Sequence, residues 1–168
     1  MNAGLANKLR CWSFYLFGCY RGTGGRVRYI APDWREIRVE IPLSWRTRNY
    51  VGTIFGGSMY GAVDPLYMLM LIRCLGPEYL VWDKAATIRF KKPGRSTLRA
   101  TCRISGEELA SIREVLAEQK SIDRQYSIEL VDASGEVCAV VEKTIYVRRK
   151  AASQDRATVD KTAMSGLR

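Results

Sequence analysis

The sequence predicts an α+β domain in which one antiparallel sheet wraps around a long central helix. Three observations predict it. The stretch NYVGTIFGGSMYGAVDPLYMLMLIR, residues 49–73, is apolar on nearly all sides, as a helix enclosed by a core is. Several other segments alternate apolar and polar residues with the period of half-buried strands. Neither a repeat nor a second composition regime interrupts them, and 168 residues with 47% hydrophobic content suit one domain with a real core.

Taken in order, LRCWSFYLFGCY at residues 9–20 reads as an amphipathic helix packed on the domain, and RGTGGR at 21–26 reads as a turn because its glycines lack a dinucleotide-binding spacing. Residues 1–26 therefore form an N-terminal helix and turn. In REIRVEIPL, residues 35–43, Ile37, Val39, Ile41 and Leu43 share one face of a strand. The central helix is expected to start at Gly56-Gly57 and to stop near Cys74, before Leu75-Gly76-Pro77. Pro65 predicts a kink beside Asp64, because it removes the hydrogen bond to the Gly61 carbonyl.

Residues 79–92 and 97–104 read as the next two strands, joined at Lys92-Pro93-Gly94-Arg95, with Arg89, Lys91, Arg99 and Arg103 on a basic outer face. Ser105-Gly106-Glu107-Glu108 has capping-box spacing and opens an amphipathic helix. A final hairpin turns at Asp132-Ala133-Ser134-Gly135, between a strand from about Arg124 and the longest strand, 136–149. The main domain spans 27–149. The tail, 150–168, is polar without periodicity and is expected to be disordered.

The chain contains no histidine, which excludes Ser-His-Asp and Cys-His catalysis, HExxH zinc sites and His-dependent dehydratase chemistry. Five cysteines with no CxxC pair suggest neither a disulfide framework nor a zinc ribbon, so the thiols are read as reduced and the location as cytoplasmic. A net charge of +10 implies an anionic partner. A nucleic-acid module would need stacking aromatics among the basic positions, where only Phe90 and Tyr146 stand, so that reading is the weakest. The N-terminal segment lacks the small-residue cleavage site of a signal peptide, and its Trp12, Phe14, Tyr15 and Phe17 also suit peripheral contact with a membrane. Asp64 and Pro65 argue against a transmembrane span in the central segment.

Asp64 is the residue to explain, because a lone acid in an apolar helix must be neutralised, hydrogen-bonded or used. Gly56-Gly57 places unpaired N–H groups at a helix start, where an oxyanion is welcome. Asp64 follows Gly57 by seven residues, on roughly the same face, so a carbonyl held at a helix start could meet a carboxylate that activates water, with the second group drawn from a paired subunit. Asn49, fifteen residues before Asp64, is placed to orient water or substrate. A structural reading stays open beside this one: glycines for close packing and a hydrogen-bonded core acid.

The pattern N-x-x-G-T-x-F-G-G followed by Asp64 resembles the signature of hotdog-fold acyl-CoA thioesterases of the phenylacetate-pathway type, which commonly have His where Phe55 stands. The IRFKKPG and TLRATCR segments resemble their third and fourth strands, and the likeness covers roughly residues 35–148. The first thirty residues and WDKAATIRFKKPG look closer to an uncharacterised bacterial branch of that superfamily. The resemblance implies a hotdog fold, a homodimer or dimer of dimers with sites between subunits, and hydrolysis of a thioester with no cofactor beyond the coenzyme A of the substrate. It makes Asp64 the general base or nucleophile, the Gly57 N–H the oxyanion donor and Asn49 the orienting amide. Phe55, Gly56, Arg89, Lys91, Lys92 and Arg95 would contact substrate, the cations through its phosphates. With Phe55 replacing a polar contact worth about 10²- to 10³-fold in rate, a non-catalytic acyl-CoA or fatty-acyl binding protein is the alternative.

Overall fold

The computed structural model describes residues 3–150; the tail expected from Lys150 onward lies, except for Lys150 itself, outside them. Helix α1, Ala3–Ser13, is followed by a 3₁₀ turn, Phe14–Leu16, and helix α2, Gly18–Thr23. The single helix expected over residues 9–20 is divided because Phe17 takes an extended backbone, φ −87° and ψ 114°. The predicted turn begins only at Gly24, whose φ of 75° ends α2 as glycine most readily does.

Strand β1, Arg26–Ile30, was not predicted by the alternation. Its buried residues are Val27 and Ile30, three apart, because pairing with β2 (Glu36–Ile41) slips between Val27 and Tyr29 and hides the period of two. After β2 come helices α3, Gly56–Val63, and α4, Leu66–Leu75, then β3, Tyr79–Phe90, and β4, Leu98–Arg103. Helix α5, Gly106–Glu118, is capped by Ser105, whose Oγ accepts from the Glu108 N–H at 3.1 Å, as the capping box predicts. The closing hairpin pairs β5, Ser121–Val131, with β6, Val137–Arg149. Its Asp132 Oδ1 accepts from the Ser134 and Glu136 N–H groups, and Gly135 supplies a φ of 87°.

The six strands form one antiparallel sheet in the order β1-β2-β4-β5-β6-β3. Strands β4 and β5 share a single register pair, Arg99 with Val131, while β3 lies at an edge with one neighbour. The inner face presents Ile37, Ile41, Leu98, Leu130, Val141 and Ile145 to α3 and α4, which answer with Ala62, Val63, Leu66, Met70 and Leu71. Burying a Leu or Met side chain of this kind contributes about 1.5–3 kcal/mol. Close approach is set by Gly25, where a Cβ would stand 2.6 Å from the Ala62 Cβ.

The central helix is broken rather than bent. At Pro65 the Gly61 carbonyl loses its backbone donor, and Asp64-Pro65 separates α3 from α4. Outside donors serve this break: Tyr20 Oη reaches the Ala62 carbonyl at 3.1 Å, and Lys143 Nζ reaches that of Asp64.

Candidate functional site

The break in the central helix exposes the Asp64 carboxylate and anchors it. Lys143 projects from β6 on the inner face of the sheet, and its side chain has no solvent exposure. Its Nζ lies 2.9 Å from Asp64 Oδ1 and 2.9 Å from Asp83 Oδ1, the latter an ion-pair contact without hydrogen-bond alignment. Asp83 turns inward at a bulge in β3, where the register shifts between Asp83 and Ala85. Asp64 keeps 42% of its side-chain surface exposed and Asp83 24%, so one buried cation serves two carboxylates. Burial pushes the Asp83 carboxyl above the usual range, against the pull of Lys143. The Tyr60 ring stands 5.8 Å beneath Lys143 Nζ; burial, then its hydrogen bond with Asp64, keep its phenol protonated.

Asp64 opens onto an apolar cavity of about 340 Å³. Gly61, Pro65 and Leu69 form the wall from the central helices, and Phe14, Phe17 and Tyr20 form the wall from the N-terminal segment.

The remaining predicted residues gather elsewhere. Asn49 and Gly56 line a second cleft, of about 380 Å³, with Phe90, Lys91, Lys92 and Gly94. The Asn49 amide braces its own loop, donating to Thr53 Oγ1 at 2.9 Å and accepting from the Thr53 N–H at 3.0 Å, which leaves one further N–H and one lone pair. Phe55 precedes α3 and is 57% exposed. A Cβ on Gly57 would meet its ring at 2.4 Å, and one on Gly56 would meet Phe90 at 2.7 Å, so two rings close over the helix start and a larger residue there would displace them. The N–H groups there have no acceptor in the preceding turn. Gly57 and Asp64 stand seven residues apart, about 10 Å along a helix axis.

The basic outer face is partly paired with carboxylates and keeps an excess of positive charge. Glu40 pairs with Arg28 at 2.7 Å and Arg99 at 3.0 Å, and Glu36 with Arg38 at 2.5 Å and Arg103 at 3.1 Å. Arg89 lies 3.6 Å from Glu142, and Lys92 pairs with Glu136. Lys91 is exposed at the second cleft, and Arg95 is exposed on the turn beyond it. Tyr146 stacks on Trp82 at 4.9 Å.

Lys143 and Asp83 were not among the predicted site residues. The signal for Lys143 was present: in AVVEKTIYV it takes an inward position of the alternation, between Val141 and Ile145. Asp83 carried no such signal, because the bulge that turns it inward also breaks the alternation.

The antiparallel sheet around a central helical pair is a hotdog fold. The chain belongs to the DUF4442 family, a domain of unknown function, whose profile matches residues 15–147. Similar solved structures include a protein of unknown function from Pseudomonas aeruginosa named as a probable thioesterase, with TM-score 0.75 and 18% identity over 85% of this chain and 95% of that one. A protein of unknown function from Chlorobaculum tepidum has TM-score 0.68 and 13% identity over 86% and 95%. A thioesterase from Haemophilus influenzae has TM-score 0.62 and 16% identity over 92% and 95%. No curated protein sequence matches the chain.

Proposed function

We propose that this chain is an acyl-CoA thioesterase that works as a homodimer, with Asp64 as general base or nucleophile. The observation that carries the reading is the Asp64 carboxylate itself, held from behind by a buried lysine yet partly exposed and lining an apolar cavity. Thioesterases among the structural neighbours support it. As general base, Asp64 takes a proton from water as its oxygen bonds to the thioester carbon; the C–S bond then breaks, and the thiolate leaves and is protonated. The carbonyl oxygen needs donors, and the Gly57 N–H suits that role.

About 10 Å of helix separates Gly57 from Asp64 within one chain, too far for one carbonyl carbon to serve both. A second copy, presenting its Gly57 to this Asp64, removes the difficulty. Strand β3 supports such pairing, since it is an edge strand whose residues 84–87 are exposed. In this reading Lys91, Lys92, Arg89 and Arg95 meet the coenzyme A phosphates, and Asn49 turns its spare N–H toward water or substrate.

Thiol release from a panel of acyl-CoAs tests the reading. Wild type is expected to turn over at least one member, and Asp64→Asn to lower kcat by about 10²- to 10⁴-fold. Equal rates would remove Asp64 from the chemistry. A second reading, binding without turnover, is favoured by the Phe55 ring over Gly57; saturable acyl-CoA binding with no thiol release would establish it.

A further inference from the structure

Helix α1 packs on the domain by one face and leaves an apolar row on the other. The packed face turns Cys11 into the core, where Phe14 of the 3₁₀ turn joins it; Asn7 Oδ1 accepts from the Ile30 N–H at 3.0 Å and Arg10 donates to the Ile30 carbonyl at 3.3 Å. On the opposite side Leu5, Leu9 and Trp12 fall within an arc of about 60° at the helical repeat, and they are 52%, 52% and 59% exposed. Leu16 and Phe17, just after the helix, are also exposed. Trp45, 84% exposed on the loop after β2, shares a hollow with Arg46, Gly18 and Arg21. A helix already packed by one face is ordinarily polar on the other, and a contiguous exposed apolar row marks a contact surface.

The charges around the row select its partner. Residues 1–32 hold one lysine and four arginines with no acid, and residues 41–63 hold Arg46 and Arg48 with no acid. Lys8, Arg21 and Arg46 are exposed, and among the described residues none of the three is paired with a carboxylate. Arg46 instead lies 5.2 Å above the Trp45 ring. A second copy of this face would bring uncompensated cations together, which opposes association. An anionic lipid surface receives Leu and Trp side chains at its acyl boundary and Lys and Arg at its headgroups.

We propose that the α1–α2 face docks this protein on an anionic lipid surface. Phe17 belongs both to that face and to the wall of the cavity that Asp64 also lines, so docking sets the cavity wall against the bilayer. The docking rests on the surface alone and does not require hydrolysis.

Flotation of the full-length protein with vesicles of phosphatidylcholine, and with vesicles rich in phosphatidylglycerol, tests this. The protein is expected to float with the anionic vesicles and to be released by salt. Leu9→Glu with Trp12→Glu is expected to cut vesicle affinity about tenfold or more, and Arg21→Glu or Arg46→Glu about fivefold or more each. These side chains are exposed, so circular dichroism and any thiol release measured without vesicles are expected to stay at wild-type level, separating loss of docking from loss of hydrolysis. Failure to float, equal flotation with both vesicle types, or flotation that survives the substitutions would overturn the proposal. So would sedimentation showing that Leu9→Glu converts a dimer to a monomer.

Discussion

Two kinds of three-charge cluster occur in this molecule with inverted composition. Behind the helix break, one cation, Lys143, stands 2.9 Å from each of two carboxylates, Asp64 and Asp83. On the outer sheet face, one carboxylate stands between two cations: Glu40 between Arg28 and Arg99, and Glu36 between Arg38 and Arg103. Distances are alike, but Lys143 is fully buried whereas the four arginines are 52–66% exposed. Solvent screens the outer clusters, so each link contributes little. Inside, removal of the shared cation leaves two carboxylates without a counter-charge. The difference separates an inner cluster that anchors Asp64 from outer ones that only partly offset the charge of a basic sheet face.

The largest expected effect follows from Lys143. Lys143→Met is expected to cost about 3 kcal/mol, the low end of the range for breaking a buried pair, because Asp64 retains 42% exposure and draws some solvent compensation. For a chain of this size that lowers Tm by about 10 °C. Adding Asp83→Asn is expected to recover part of the loss, since one fewer carboxylate then lacks a partner. Thermal unfolding of the single and double variants checks both statements; a change under about 1 kcal/mol, typical of exposed pairs, would place Lys143 with the outer clusters.

How much of this was legible in the sequence depends on whether a neighbour in the chain or a neighbour in space decides the conformation. The capping box at Ser105 and the Asp132–Gly135 turn are local and stand where the sequence predicts them; at Pro65 the position was legible, but the kink expected in one helix is a break between two. The alternation of Ile37, Val39 and Ile41 marked the buried face of β2 for the same reason. Strand β1 and Asp83 were hidden by bulges, which shift the period of two by one residue. The pairing of Lys143 with Asp64 joins residues 79 positions apart and follows only from the topology that lays β6 behind α3. The partial pairing of the outer face was illegible likewise, because Glu36 and Glu40 on β2 meet Arg103 and Arg99 only once β2 and β4 are in register.

An intermediate effect concerns pH, where the two cluster types act with opposite sign. Burial holds the folded Asp83 carboxyl above its ordinary value of 3.8. Between that value and the raised one the native state binds more protons than the unfolded state, so stability falls as pH rises through this window. Hydrogen bonds from Arg38 and then Arg103 hold Glu36 below its ordinary value of 4.5. Burial pushes Glu40 up, but its bonds to Arg28 and Arg99 override that and hold it below the same value. These two contribute stability that is full above about 4.5 and is lost as pH falls through their lowered values. Asp83→Asn is therefore expected to remove the loss on the rising side while leaving the acid loss in place. Urea unfolding across the acid and neutral range reads both arms, and an unchanged rising side in Asp83→Asn would show that its burial is relieved by Lys143.

The smallest effect is expected outside. Glu36→Gln leaves Arg38 and Arg103 facing each other without their anion, yet both are more than half exposed. The cost is expected at about 1 kcal/mol or less. It should disappear in high salt, where the Debye length shrinks to about 3 Å and the pair is already screened in the parent protein. The Lys143→Met cost should be reduced less, because Asp83, one of the two carboxylates left unpaired, keeps only 24% of its side-chain surface open to counter-ions. Urea unfolding of both variants at low and high salt makes the comparison directly. If Glu36→Gln costs as much as Lys143→Met, or if both costs vanish together with salt, then burial is not what separates the two clusters, and the anchoring of Asp64 from behind would need another source.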